Sequence, residues 1–156
     1  MMDRYLIQIL AAAVGSIGFA IILKIKGKQI AYAGLGGMLT WAMYLAFYEI
    51  LESFFWATLI ASIFVAFFAE LMARVNKAPS TIFLTAAAVP LIPGRNLYNM
   101  MFYIVSEDAV LAGKEGMTAG IIALAIALGF MAVTIIMRYY YQIRHDYIKW
   151  RNGSLK

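Results

Sequence analysis

Four stretches of this chain, Tyr5 to Leu23, Ile30 to Ile50, Phe54 to Val75 and Met117 to Tyr141, are each long and apolar enough to cross a lipid bilayer. A helix rising about 1.5 Å per residue needs about 20 mostly apolar residues to cover roughly 30 Å of hydrocarbon. A fifth stretch, Thr81 to Val105, has the length but is interrupted by proline and glycine. Within lipid every backbone N–H and C=O must find its partner inside the segment, so runs of this length and composition fold as helices. Composition agrees: of 156 residues 64% are hydrophobic and only 13% charged. That is about half the charged fraction that clothes a soluble domain. The expected fold is an all-α, polytopic integral membrane protein with about five transmembrane helices. It forms a single bundle domain over 1–156, and residues 142–156 make a short basic tail.

The net charge of +5 does not point to nucleic acid, because the cations sit in short clusters between apolar runs instead of forming a stripe on one face. Their placement reads as topogenic. Lys24, Lys26 and Lys28, then Arg74 and Lys77, then five cations from Arg138 to Lys156 put ten on one side. Only Arg4 and Lys114 fall on the other, together with Asp3, Glu49, Glu52, Glu107, Asp108 and Glu115. Cytoplasmic loops carry the excess of Lys and Arg. The expected topology is therefore five crossings, N-terminus outside and C-terminus cytoplasmic, provided that the interrupted Thr81 to Val105 stretch also crosses. Tyr44, Tyr48 and Trp56 toward the acidic side, and Tyr139, Tyr140, Tyr141, Tyr147 and Trp150 toward the basic side, suit interfacial belts. The first span carries its cations after the apolar run, the reverse of a secretory leader, and is expected to be retained as an anchor.

The same inventory narrows the chemistry. The chain has no cysteine, which removes disulfides and thiolate metal sites, and its single histidine, His145, lies in the polar tail beside Arg144 and Asp146. No cofactor and no metal site is expected. No zinc-protease or nucleophile-elbow motif is present, and no intramembrane pair of candidate catalytic carboxylates, so the chain does not read as an enzyme. Small residues four apart (Ala11 and Gly15, Ala33 and Gly37, Gly116 and Gly120) allow close helix approach in lipid, either within the chain or against a partner.

The interrupted stretch is the most informative. All three prolines, Pro79, Pro90 and Pro93, fall within fifteen residues, and Pro93 is followed by Gly94, Arg95 and Asn96. Each proline deletes a backbone donor and clashes with the carbonyl four residues back, and glycine permits turns that other residues do not. A helix starting near Thr81 would break roughly 15 to 18 Å from the basic edge, near mid-bilayer. Unpaired backbone at that depth lines a cavity or lies buried in protein, and discontinuous helices are how many secondary transporters bind solute. The half-helix after the break would aim its free N–H groups and positive dipole end at the gap, which suits a carboxylate. Arg95 adds a full charge, and Asn96, Tyr98 and Asn99 add neutral hydrogen bonds, with Thr81 and Thr85 on the approach. The alternative is a proline-kinked packing helix. Glu70 and Arg74, one turn apart, read either as a structural ion pair or as a proton or cation site coupling export to a gradient.

The run Glu70, Leu71, Met72, Ala73, Arg74, then Ala78 and Pro79, then Ala88 through Gly94, with Tyr98 beyond it, resembles the signature of the threonine/serine exporter family. The similarity is to the small-subunit, or C-terminal, half of that family. It extends to Gly15, Gly18, Phe19, Ala20 and Ile21, and to Gly34, Gly37 and Trp41. The resemblance implies an exporter of the bacterial or archaeal inner membrane in which a larger subunit supplies a second helical bundle. It implies threonine and serine as solutes, or succinate in a two-subunit branch. Arg95 lies outside the motif. An odd number of spans with an external N-terminus also suits the second of two inverted repeats, a five-plus-five arrangement with the partner. A non-transporting scaffold that stabilises such a partner is the alternative of another class.

Overall fold

The computed structural model describes residues 2–153, with side-chain surroundings for residues 3–144. Its elements are α1 (Met2–Ile22), α2 (Gln29–Leu51), α3 (Phe54–Asn76), α4 (Ser80–Ala87), a 3-10 turn (Val89–Leu91), α5 (Gly94–Val105) and α6 (Ala109–Gly153). Helices α1, α2, α3 and α6 are long and apolar enough to span a membrane. The readings for the side chains of His145, Tyr147 and Trp150, and for Lys156, lie outside the described residues. Helix α6 continues through the expected tail as far as Gly153.

Helix α2 is the hub, and it is so because one side of it is nearly without side chains. Ala33, Gly34, Gly36, Gly37 and Thr40 are buried, and α1, α3 and α4 all pack on this helix. A methyl added at Gly34 would come within 2.6 Å of Ile17 on α1, and one at Gly36 within 2.6 Å of Phe68 on α3 and 2.8 Å of Ala87 on α4. At Gly37 it would meet the Ser16 hydroxyl of α1, and at Gly129 of α6 the Ser62 hydroxyl of α3. With lipid on the outside, burial of apolar surface gives little drive between helices, so backbone proximity and dispersion hold these contacts.

Four glycines are expected at helix contacts, and the structure divides them. Gly37 meets α1 and Gly116 meets Met100 of α5, but Gly15 and Gly120 face open space. The reason is rotational: α1 turns Ser16 and Ala20 inward, both fully buried, which carries Gly15 outward. Gly37→Ala is accordingly expected to lower stability by about 1–3 kcal/mol through overpacking. Gly15→Ala is expected to stay within about 0.5 kcal/mol of wild type. Thermal unfolding of the two variants in detergent checks both.

Helices α3 and α6 run parallel in a fixed register. The Ser62 hydroxyl donates to the Ala125 carbonyl at 3.3 Å, and twelve residues further on each helix Arg74 reaches the Met137 sulfur at 3.9 Å. Carried back by the same offset, Phe54 at the start of α3 stands level with Met117. The apolar run of α6 begins where the sequence places it, but the helix begins eight residues earlier, at Ala109. Residues 109–116 therefore project about 12 Å beyond the first turn of α3. Helix α5, joined to α6 by a three-residue turn, folds back along this projection and buries none of its residues.

The expected break is present, but it lies closer to the acidic end than the sequence places it. Leu91 packs with Ala61, Val65 and Ala87, and with Met43, Tyr44 and Ile126 around them. Ala61 lies seven residues after Phe54 and fifteen before Asn76, about 10 Å from the acidic end of α3 and about 22 Å from the basic end. Measured along α3, the break thus lies in the third nearest the acidic end. The 3-10 turn accounts for part of the difference, since it rises about 2 Å per residue and carries the chain farther than α-helix before it stops. In series, α4, the turn and α5 lead from the basic end beside Lys77 to the acidic end beside Glu115, so the alternation of ends is kept.

Among the described residues, four helices or turns end on a non-glycine residue in the left-handed region, namely Lys24, Glu52, Lys77 and Glu107. All four are charged, the lysines at one end of the bundle and the glutamates at the other. At Lys24 and Lys77 the next residue's N–H closes the helix, Ile25 to Ala20 and Ala78 to Ala73, each at 3.0 Å. This is the position that glycine usually fills.

Candidate functional site

Two prolines shape the break. Pro90 enters the 3-10 turn and has no N–H for the carbonyl four residues back. Ile92, before Pro93, is extended at φ −62° and ψ 127°, the conformation that a following proline imposes. Gly94 is not needed for the turn itself. It does not occupy the left-handed region, and a Cβ there would meet nothing within 4 Å. The role expected for its conformational freedom is therefore corrected: Gly94 keeps space open.

That space is a cavity of about 580 Å³. The break lines it with Pro90, Pro93, Gly94, Arg95, Asn96 and Asn99. Tyr98, expected with them, does not line it and is 71% exposed. The first turn of α5 contributes backbone donors as well: the Gly94 N–H goes to Ile92 and the Leu97 N–H to Pro93, which leaves the Arg95 and Asn96 N–H groups without an acceptor inside the helix.

The facing wall comes from residues that the sequence pattern places at the lipid interface or does not mark at all. On α2, Trp41, Tyr44 and Tyr48 stack in order, with ring centroids 4.8 and 5.8 Å apart, and Phe54 of α3 extends the row at 5.1 Å. Spacings of three and four residues put these rings on one face of α2. That spacing is the signal the sequence carries for them, and it competes with proximity to the acidic end, which makes Tyr44 and Tyr48 look like interfacial aromatics. Tyr5 of α1 donates its hydroxyl hydrogen bond to the Glu49 carboxylate, and Trp41 donates from Nε1 to Gln8 Oε1 at 3.3 Å. Across the cavity, Asn96 donates from Nδ2 to Glu115 Oε2 at 2.8 Å. Glu49 and Glu115, 66 residues apart in the chain, are brought to one cavity only by the fold.

The cavity thus holds a guanidinium and the positive end of α5 on one wall, with the Glu115 carboxylate bonded to that first turn, and the Glu49 carboxylate with a row of π faces elsewhere in its lining. An anionic group is favoured at the first and a cationic group at the second. Glu70 and Arg74 lie elsewhere and line neither this cavity nor a second one near the basic end, where Thr81 and Thr85 are found. The contacts of Arg74 are with α6: its guanidinium sits 5.0 Å from the Tyr141 ring centroid and 5.7 Å from that of Tyr140.

No curated protein and no solved structure shows significant similarity to the chain. The family model described as Threonine/Serine exporter, ThrE matches residues 8–136, which include the whole break and every cavity-lining residue except Tyr5. A multi-pass helical chain with a cavity at a helix break, matched over most of its length by this model, belongs to the threonine/serine exporter family of membrane transporters.

Proposed function

We propose that this chain is a subunit of an exporter for small zwitterionic amino acids of the threonine/serine type, with the solute bound in the cavity at the break between the 3-10 turn and α5. The observation that carries the reading is the pairing of opposite charges across one cavity, Arg95 and the α5 first turn facing Glu49 and the Trp41, Tyr44, Tyr48 row. An α-carboxylate fits the first wall and an α-ammonium the second. Asn96 and Asn99 offer neutral partners for a side-chain hydroxyl. Succinate, the alternative solute, brings two carboxylates to a cavity with one guanidinium and two carboxylates, and is disfavoured by like-charge repulsion. The basic end faces the cytoplasm in this reading, the break alternates its access between the two sides, and a larger subunit supplies a second bundle in the inner membrane of a bacterium or archaeon.

The test is export from cells producing this chain with and without its neighbouring large subunit, loaded in turn with threonine, serine and succinate. Efflux of threonine or serine above that of succinate, and only with both subunits present, is the expected result. A folded complex that exports succinate alone refutes the zwitterion. A complex that assembles and exports none of the three supports the scaffold instead.

A further inference from the structure

A second cavity, of about 420 Å³, lies at the basic end between the α1–α2 turn and the first turns of α4. Among the described residues its charged lining consists of Lys24 and Lys26 alone, with no carboxylate, in contrast to the cavity at the break. The turn that presents these lysines is built rigidly. Lys24 takes φ 57°, its N–H donates to the Ile21 carbonyl at 2.9 Å, and the Ile25 N–H donates to Ala20 at 3.0 Å. The Ile25 side chain is then buried against Ala20, Ala33 and Ala86, so the residue between the two lysines is pinned in the core.

Glycine would fill position 24 with less strain, since a side chain in the left-handed region crowds the backbone. A lysine stands there instead, and its side chain lines the cavity. Gln29 and Thr81 add neutral donors beside it. Thr85 spends its proton on the Thr81 carbonyl at 2.8 Å and can only accept. Leu23, 44% exposed, adds an apolar flank at the level where the long helices leave their apolar runs. Cationic clefts between helix ends at this level match anionic headgroups, with the acyl chains along the neighbouring apolar surface.

We propose that this cleft is a binding site for the phosphate headgroup of an anionic phospholipid, held by Lys24 and Lys26 with Gln29 and Thr81 as hydrogen-bond donors. The site is separate from the cavity at the break and does not depend on which solute is exported.

The test uses the full chain purified in detergent and its thermal unfolding, titrated with phosphatidylglycerol or phosphatidylcholine in mixed micelles, or with inorganic phosphate. Ligand that binds the folded state raises the unfolding temperature with concentration. Phosphatidylglycerol is expected to raise it and phosphatidylcholine at the same mole fraction is not. In the double variant Lys24→Gly with Lys26→Gln, the phosphatidylglycerol midpoint is expected to move at least about tenfold higher, the loss that follows when two charged hydrogen-bond partners are removed. Because glycine suits position 24, that variant should unfold no earlier than wild type without lipid, which separates lost binding from lost folding. Lys28→Gln, outside the cleft lining, should titrate like wild type. Equal response to the two lipids, or an unchanged titration in the double variant, overturns the proposal. A response to inorganic phosphate equal to that to phosphatidylglycerol assigns the cleft to a free anion and overturns the lipid.

Discussion

Gly94→Leu is expected to cut export roughly ten- to a hundredfold while leaving the helices, the unfolding temperature and assembly with a partner near wild type. The expectation rests on two facts about one position. Gly94 lines the cavity, and a Cβ placed on it meets no atom within 4 Å. Its backbone is in a region open to any residue. A leucine therefore costs the fold little and points its bulk at the space a solute would take. Forcing a solute past it is an overpacking problem, and about 1.4–2.8 kcal/mol of the overpacking scale corresponds to that range in rate. Export by the variant at wild-type rate, with the protein folded, removes the cavity from the transport path. Loss of assembly as well as export would favour a scaffold role for the break. Gly94→Ala is the graded control, expected to lie between the two.

Charge neutralisation on the two walls gives the second large effect, and its value lies in the pairing. Arg95→Gln should weaken recognition of the carboxylate end and Glu49→Gln that of the ammonium end. Each removes one charged hydrogen-bonding partner, worth about 1.5–3 kcal/mol, or roughly ten- to a hundredfold in apparent affinity. The two substitutions should differ in which competitor they cease to feel. Export in Arg95→Gln loses inhibition by simple carboxylates, and export in Glu49→Gln loses inhibition by simple amines, measured as competition against labelled serine. Identical changes toward both competitor classes in both variants contradict the two-wall assignment. Tyr5→Phe is informative beside them, because Tyr5 donates to Glu49 and holds it at the mouth of α1 and α2. Its loss should mimic part of the Glu49→Gln effect while leaving the Arg95 wall intact.

Much of this arrangement is legible in the amino-acid sequence. The long helices can be read from apolar length because lipid permits no other backbone solution for such runs. Their ends can be read from charge: the lysines at 24 and 77 and the glutamates at 52 and 107 stand where their helices close. The break is legible because proline removes a donor wherever it stands, so Pro90 and Pro93 interrupt the helix in any fold. Six of the seven residues expected at the solute path do line one cavity. The exception, Tyr98, stands exposed on α5 outside that lining.

What the chain alone determined was thus what local covalent chemistry and the solvent along one segment govern: which segments are helices and which stretch cannot be continuous, though not the ends of α6, which runs past its apolar stretch on both sides. Tertiary structure decided what depends on the angle at which a helix faces its neighbours. It turned Gly37 inward and Gly15 outward, directed Arg74 to the tyrosines of α6, and set the break about 10 Å from the acidic end of α3 by packing Leu91 against Ala61. It also brought Glu49 and Glu115 to the same cavity as Arg95. A one-residue change in rotation swings a side chain about 100° around a helix at almost no local cost, so only contacts between helices can fix it. That is why the broken helix can be foreseen from its prolines, while the opposite charges that face it emerge only in three dimensions.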